Sequence, residues 1–193
     1  NLLGAEQSGF ITDMGFEVYQ KILSEAMEEL GVETGISSSK GVGSYSIDCS
    51  IETDQVAMIP DSYIDITAEK IRIYKQLDNL SSDKEIDRAR DNLKDRFGNL
   101  PVEADNLFDV VKIRNLGGSL GFEKIIIKNG MMIFFFISNP MSPYYKSKVF
   151  SKVLEKTAST PAFNLKQVEN KLKIVVRGID TMEKAFSTLK LLQ

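Results

Sequence analysis

Residues 122–138 read FEKIIIKNGMMIFFFIS, from Phe122 to Ser138, and this stretch decides the fold class. Two runs rich in β-branched and aromatic residues, Phe122 to Lys128 and Met131 to Ser138, flank the pair Asn129 and Gly130. Asn-Gly is the strongest short hairpin signal because both residues tolerate the backbone angles of a tight turn, so the two runs are expected to pair. The run Ile133 to Ile137 has no polar alternation, which predicts a strand covered on both faces and central in its sheet. Downstream, a helix after Pro143 is expected to carry Tyr145, Val149, Phe150, Val153 and Leu154 inward. Leu165 to Val168 and Leu172 to Arg177 then read as a second hairpin around Glu169 and Asn170. Its second strand puts Leu172, Ile174 and Val176 on one face, and Lys171, Lys173 and Arg177 on the other. Asp180 caps a last helix that packs through Met182, Ala185, Phe186 and Leu189.

Upstream of the quoted stretch the periodicity changes from two to three-four. Pro101 suits the first turn of a helix bearing Leu107, Val110, Val111 and Arg114, which the Gly117 and Gly118 pair ends or loosens. Before it, Ser82 and Glu85 form a capping box for a helix that buries Ile86, Ala89, Leu93 and Phe97 and stops at Gly98. Thr67 caps a further helix with Ile71, Tyr74 and Leu77 on one face. Earlier still, Tyr45, Ile47, Cys49 and Ile51 alternate with polar residues as a half-buried strand does. The class is α+β: a mainly antiparallel sheet, built from two β-hairpins plus an N-terminal strand, packed with helices.

The first 43 residues differ. Thr12 or Asp13 caps a helix with Phe16, Tyr19, Ile22, Leu23, Ala26, Met27 and Leu30 on one face. A stretch rich in Gly and Ser follows and reads as a linker. The expected organisation is therefore a helical tail over 1–32, a flexible linker over 33–43 and a domain over 44–193. Asn1 opens the chain in what reads as mid-motif, so an excised piece of a longer protein is expected.

Composition narrows the function. Of 193 residues, 42% are hydrophobic and 26% charged, as in ordinary globular proteins. The lone Cys49 forms no internal disulfide, and the absence of histidine removes His/Cys zinc clusters and Ser-His or Cys-His nucleophiles. The longest apolar run, Met131 to Ile137, is far short of the ~20 residues that cross a bilayer, so no membrane is expected as partner. No GxxxxGK[ST] phosphate loop occurs, and Asp48, Glu52, Asp54, Asp61 and Asp65 lack metal-loop spacing. The expectation is no catalytic residue, no metal and no cofactor. Residues 1–100 carry 19 acids and 10 bases, residues 101–193 carry 8 acids and 14 bases, a split that suits electrostatic pairing but more often means only that each half has its own solvated surface.

Two surface features carry candidate binding chemistry. Lys148, Lys152 and Lys156, four residues apart, make a basic row suited to phosphates, which is the basis for an alternative reading as an accessory DNA-binding module. On the capping-box helix, Asp83, Asp87, Asp91 and Asp95 form one row beside Lys84, Arg88, Asn92 and Arg96. Like charges four apart repel, so a basic partner surface would relieve the aspartate row.

Ordered motifs sharpen this reading. Asn1 to Gly9, NLLGAEQSG, resembles the end of the translocation motif shared by RecG and the transcription-repair coupling factor (Mfd) family, with Gln7 and Gly9 on matching positions and Phe10 in place of a common histidine. Ile59 to Ile64, IPDSYI, resembles that family's proline-aspartate-acidic-aromatic segment. Asp95-Arg96-Phe97-Gly98 with Leu100-Pro101, then Leu120-Gly121-Phe122, continue the match, which runs in order over residues 1–125. The resemblance implies the C-terminal end of a cytoplasmic, ATP-dependent DNA translocase that displaces stalled RNA polymerase and recruits UvrA. The helicase motifs lie upstream, so ATP and Mg would be bound by motor domains outside this chain, which would itself be non-catalytic. Residues 1–32 would be the tail of the translocase module and 44–193 an autoinhibitory regulatory domain. That domain would dock on the parent's own N-terminal UvrB-like module, hide its UvrA-binding surface and restrain the motor, while the parent contacts RNA polymerase and double-stranded DNA. Asp91, Asn92, Asp95 and Arg96 are the implied contact. Asn92 stands where some relatives have glutamate, which shifts weight onto Asp91 and Asp95.

Overall fold

The structure is a computed structural model and describes residues 47–169 and 171–193. The expected helical tail, the linker, Gln7, Gly9 and Asn170 lie outside the described residues. Among those residues the chain forms two compact units, one of 56–111 and one of 47–55 with 112–193.

The first unit is helical. It contains α1 (Thr67–Asp78), α2 (Asp83–Phe97) and the first half of α3 (Val102–Leu120). Their inward faces meet in a core of Ile59, Ile64, Ile73, Tyr74, Leu77, Ile86, Leu93, Leu107, Phe108 and Val111. The buried Tyr74 hydroxyl accepts a 2.9 Å bond from the Ile59 N–H, which satisfies a backbone donor that burial would otherwise strand. Burial raises the Tyr74 phenol pKa. The capping box on α2 is present: Ser82 Oγ accepts from the Glu85 N–H, and Glu85 Oε2 accepts from the Ser82 N–H. Gly98, at φ +86°, ends this helix and returns an N–H to Lys94. On α1 the expectation is corrected by one residue. Ile66, not Thr67, is the N-cap and no side chain caps it, while Glu69 supplies first-turn negative charge that favours the exposed N–H groups.

The second unit is a five-stranded sheet in the order β1-β2-β3-β5-β4, with β1 (Ser50–Thr53), β2 (Phe122–Lys128), β3 (Met131–Phe136), β4 (Asn164–Val168) and β5 (Lys171–Arg177). Every pairing is antiparallel except that of β1 with β2. The α+β reading with a mainly antiparallel sheet therefore holds. Asn129 and Gly130 have φ of 54° and 70°, the double positive pair of a type I′ turn. The N-terminal strand is displaced from its expected place, because Ile47 donates to the Gly118 carbonyl at 3.1 Å instead of joining the ladder.

That bond also explains Gly117 and Gly118, which neither end nor loosen α3. A Cβ on Gly118 would lie 2.2 Å from the Ile47 carbonyl oxygen, and one on Gly117 3.0 Å from Cys49 Sγ. Gly118 admits the Ile47 backbone and Gly117 the Ile125 and Cys49 side chains, and the helix continues to Leu120, with Gly121 at φ +88° after it. The Cys49 thiol is accordingly buried packing.

Helices cover one sheet face. Phe136 packs edge-on to Phe150 of α4 (Lys148–Ser159), and Thr53 meets Met182 of α5 (Met182–Lys190). Met132, Phe134 and Phe136 on that face are buried, whereas Met131, Ile133 and Phe135 on the other are half-exposed. β3 is thus central as expected but covered fully on one face only. A 3-10 turn (Pro143–Lys146) precedes α4, since Ser147 caps α4 and breaks the expected continuous helix. Tyr144, not Tyr145, is the deeply buried residue there. The cap of α5 is Thr181 rather than Asp180: Thr181 Oγ1 accepts from the Lys184 N–H at 3.1 Å.

Candidate functional site: a charged groove between two helices

Helix α2 turns two faces to different environments. Ile86 and Leu93 point into the core of the first unit, while Asp91, Asn92, Asp95 and Arg96 are all exposed. Arg90 holds the helix in place: its Nε lies 3.1 Å from Asp105 and its Nη2 3.1 Å from Asp109, with the guanidinium 5.5 Å from the Phe108 ring centre.

A groove of about 260 Å³ runs between α1 and α2. Ile73, Leu77, Ala89, Leu93 and Phe108 contribute its apolar lining, and Arg72, Gln76, Asn92, Asp95 and Arg96 its polar lining. Three of the four expected contact residues, Asn92, Asp95 and Arg96, are therefore brought together, and Asp91 does not line the groove. Asp91 and Asp95 form no ion pair among the described residues. Sequence reasoning missed the α1 side of this site. Glu69 bridges the helices, with Oε1 2.5 Å from Arg72 Nη2 and 2.8 Å from Arg96 Nη2. The i,i+3 spacing of Glu69 and Arg72 was the available signal, but the link to Arg96 crosses helices.

The hydrogen bond from Arg72, joined by that from Arg96, holds the Glu69 carboxyl at about 2, below its ordinary 4.5. A depressed folded pKa means that the pair's contribution to stability is complete above the ordinary value and is lost as pH falls through about 2. An NMR titration of the Glu69 carboxyl carbon is expected to give a midpoint near 2, and Arg72→Gln to move it upward toward the ordinary value. An unmoved midpoint in that variant would assign the shift to another cause. Such a groove, an apolar floor between a paired arginine bridge and Asp95, suits an apolar side chain flanked by a basic one.

The remaining expected residues lie elsewhere. Lys148 and Lys152 are exposed and Lys156 half-buried along α4. Among the described residues there is no group of three or more His, Cys, Asp or Glu arranged to hold a metal ion, and no helix is long and apolar enough to cross a membrane.

Comparison with known proteins gives this geometry a family. The TRCF domain profile matches residues 53–147, which include the whole groove. The transcription-repair-coupling factor of Rickettsia typhi is 36% identical over 143 residues, 74% of this chain and 12% of the relative. That of Rickettsia bellii is 32% identical over 174 residues, 89% of this chain and 14% of the relative. The Bacillus subtilis protein of the same name is 36% identical over 114 residues, 59% of this chain and 9% of the relative. This chain thus spans a small part of the length of the curated relatives it matches. Among solved structures, a crystal structure of the C-terminal domain of transcription-repair coupling factor superposes with a TM-score of 0.65 at 15% identity, covering 77% of this chain and 91% of that one, which shows a shared fold. Residues 53–147 are a TRCF domain, and through it the chain belongs to the transcription-repair-coupling-factor family, with the fold of that family's C-terminal domain.

Proposed function

We propose that this chain is the C-terminal regulatory domain of a DNA translocase acting in transcription-coupled repair, and that it works by docking rather than by catalysis. Its partner is the parent's own N-terminal UvrB-like module, whose UvrA-binding surface it masks, and closure restrains the motor. ATP and Mg belong to the motor region of the longer protein, as do the contacts with RNA polymerase and double-stranded DNA, and this chain holds no cofactor. The observation that supports docking most is the exposed rim of Asn92, Asp95 and Arg96 above an apolar floor, with Asp91 extending the acidic row beside it.

The energetics suit a reversible latch. A tether gives two surfaces of one chain an effective concentration near millimolar, so an interface with a dissociation constant of only ~0.1 mM closes about nine copies in ten. UvrA then binds the open tenth, and its apparent affinity is weakened roughly tenfold. The test is UvrA binding by the full-length parent as wild type, with residues 44–193 deleted, and with Asp95→Arg combined with Arg96→Glu. Both changes are expected to tighten UvrA binding by about tenfold. Tightening by deletion alone would keep the latch and reject these residues, and no tightening in either would reject the regulatory role.

A further inference from the structure

The sheet of the second unit has a second face that is half-exposed along β3, and strand register decides what stands on it. Lys124, Phe135, Lys173 and Lys166 pair in succession across β2, β3, β5 and β4, so their side chains form one row. Two residues along, Ile133 stands opposite Val175, and beyond it Met131 faces Arg177. Lys166, Lys171 and Arg177 are exposed, Lys173, Ile133 and Phe135 half-exposed, and Val175 between them is buried. Two acids stand at the β1 and β2 end of the sheet: Glu52 of β1 is shared by Lys124 and Lys128 at 2.7 and 3.5 Å, and the half-exposed Glu123 of β2 accepts from Ser138 Oγ. Lys166, Lys171, Lys173 and Arg177 make no ion pair among the described residues, and Lys166 stands directly opposite Lys173, a like-charge pairing that costs stability. Residues 112–193 carry 14 basic and 5 acidic side chains in all.

A face of this charge calls for a polyanion, and its shape indicates which. A peptide is gripped by strand addition at an edge or by a groove, neither of which uses a flat sheet face. A duplex presents phosphates to a flat surface and keeps its bases stacked inside, which would leave Ile133 and Phe135 unused. Unpaired bases offer planar apolar faces alongside phosphates, and the Phe135 ring is already engaged by a cation, Lys173 Nζ at 5.9 Å from its centre. We propose that this open sheet face binds single-stranded nucleic acid, with a base stacked on Phe135 and phosphates held by Lys166, Lys171, Lys173 and Arg177. The site is separate from the groove in the first unit and does not rest on the docking role.

Fluorescence anisotropy of the whole chain with a labelled oligothymidylate tests it. Four phosphate contacts give a log-log salt slope of about -3 for a single strand. Lys166→Glu with Lys173→Glu is expected to weaken binding by about tenfold or more, and Phe135→Leu, which keeps an apolar side chain but removes the ring, by roughly five- to tenfold. Lys148→Glu with Lys152→Glu is expected to leave it unchanged. Loss of binding in this last variant with retention in the Lys166 and Lys173 variant would move the site to α4 and overturn the proposal. So would a duplex of equal length bound as tightly as the single strand, displacement by polyglutamate at equal charge concentration, or no binding at low salt. Both lysine substitutions are at surface ammonium groups, so the test stands even if Phe135→Leu fails to fold.

Discussion

Gly121→Ala is expected to destabilise the protein by roughly 3 kcal/mol or more, the sum of left-handed backbone strain and overpacking. Gly121 sits at φ +88°, and a Cβ there would lie 2.0 Å from Tyr144 Cε2 and 2.3 Å from Cζ. The ring is poorly placed to yield. Its hydroxyl donates to the Leu120 carbonyl at 2.7 Å, and it packs against Phe150 and Phe136 at centroid distances of 5.3 and 6.3 Å. Gly98→Ala is the comparison: at φ +86° and ψ −170° it sits in an extended region that is essentially glycine-only, but nothing stands within 4 Å of the added carbon, so only a backbone strain of about 1–3 kcal/mol applies. Urea unfolding of the two variants separates the terms. A loss in Gly121→Ala of only about 1–2 kcal/mol, the backbone strain alone, would mean that Tyr144 gives way and that the close approach contributes nothing.

Phe134→Ala carries the other large effect, about 3–5 kcal/mol as for other fully buried aromatic truncations. Phe134 is 0% exposed at the centre of β3, with its ring 5.1 Å from Phe122 and edge-on to Phe163 at 6.4 Å. The next residue makes the comparison. Phe135→Ala on the open face removes a half-exposed ring and is expected to cost about 1 kcal/mol. A thermal denaturation series showing equal losses would contradict the one-sided covering of the sheet and, with it, the availability of Phe135 to a base.

Local chemistry made much of this fold legible. Asn129 and Gly130 announce their turn because few other pairs accept two positive φ angles in succession, and the Ser82 and Glu85 box announces a helix start because each satisfies the other's backbone donor. Caps chosen by residue type alone were less secure: Thr181 took the position that Asp180 also suited, and α1 starts with no side-chain cap. The polar rows of α2 were readable as rows, since positions four apart share a helix face. Their function as a groove wall was not, because the opposite wall comes from Glu69, Arg72 and Gln76 on another helix.

What the amino-acid sequence by itself determined is therefore the class, α+β, most elements and their turns, and the family resemblance carried by short ordered motifs. These are properties of residues within a few positions of each other, where φ preference, capping and period act directly. Tertiary structure alone decided that β1 runs parallel to β2, that Gly118 admits the Ile47 backbone and Gly117 the Ile125 and Cys49 side chains instead of ending α3, and that β3 is covered on one face. It also drew Lys124, Phe135, Lys173 and Lys166 into one row from positions as far apart as 124 and 173. Strand direction and register depend on where long connections return the chain, and non-local pairing leaves no mark in any short stretch of sequence.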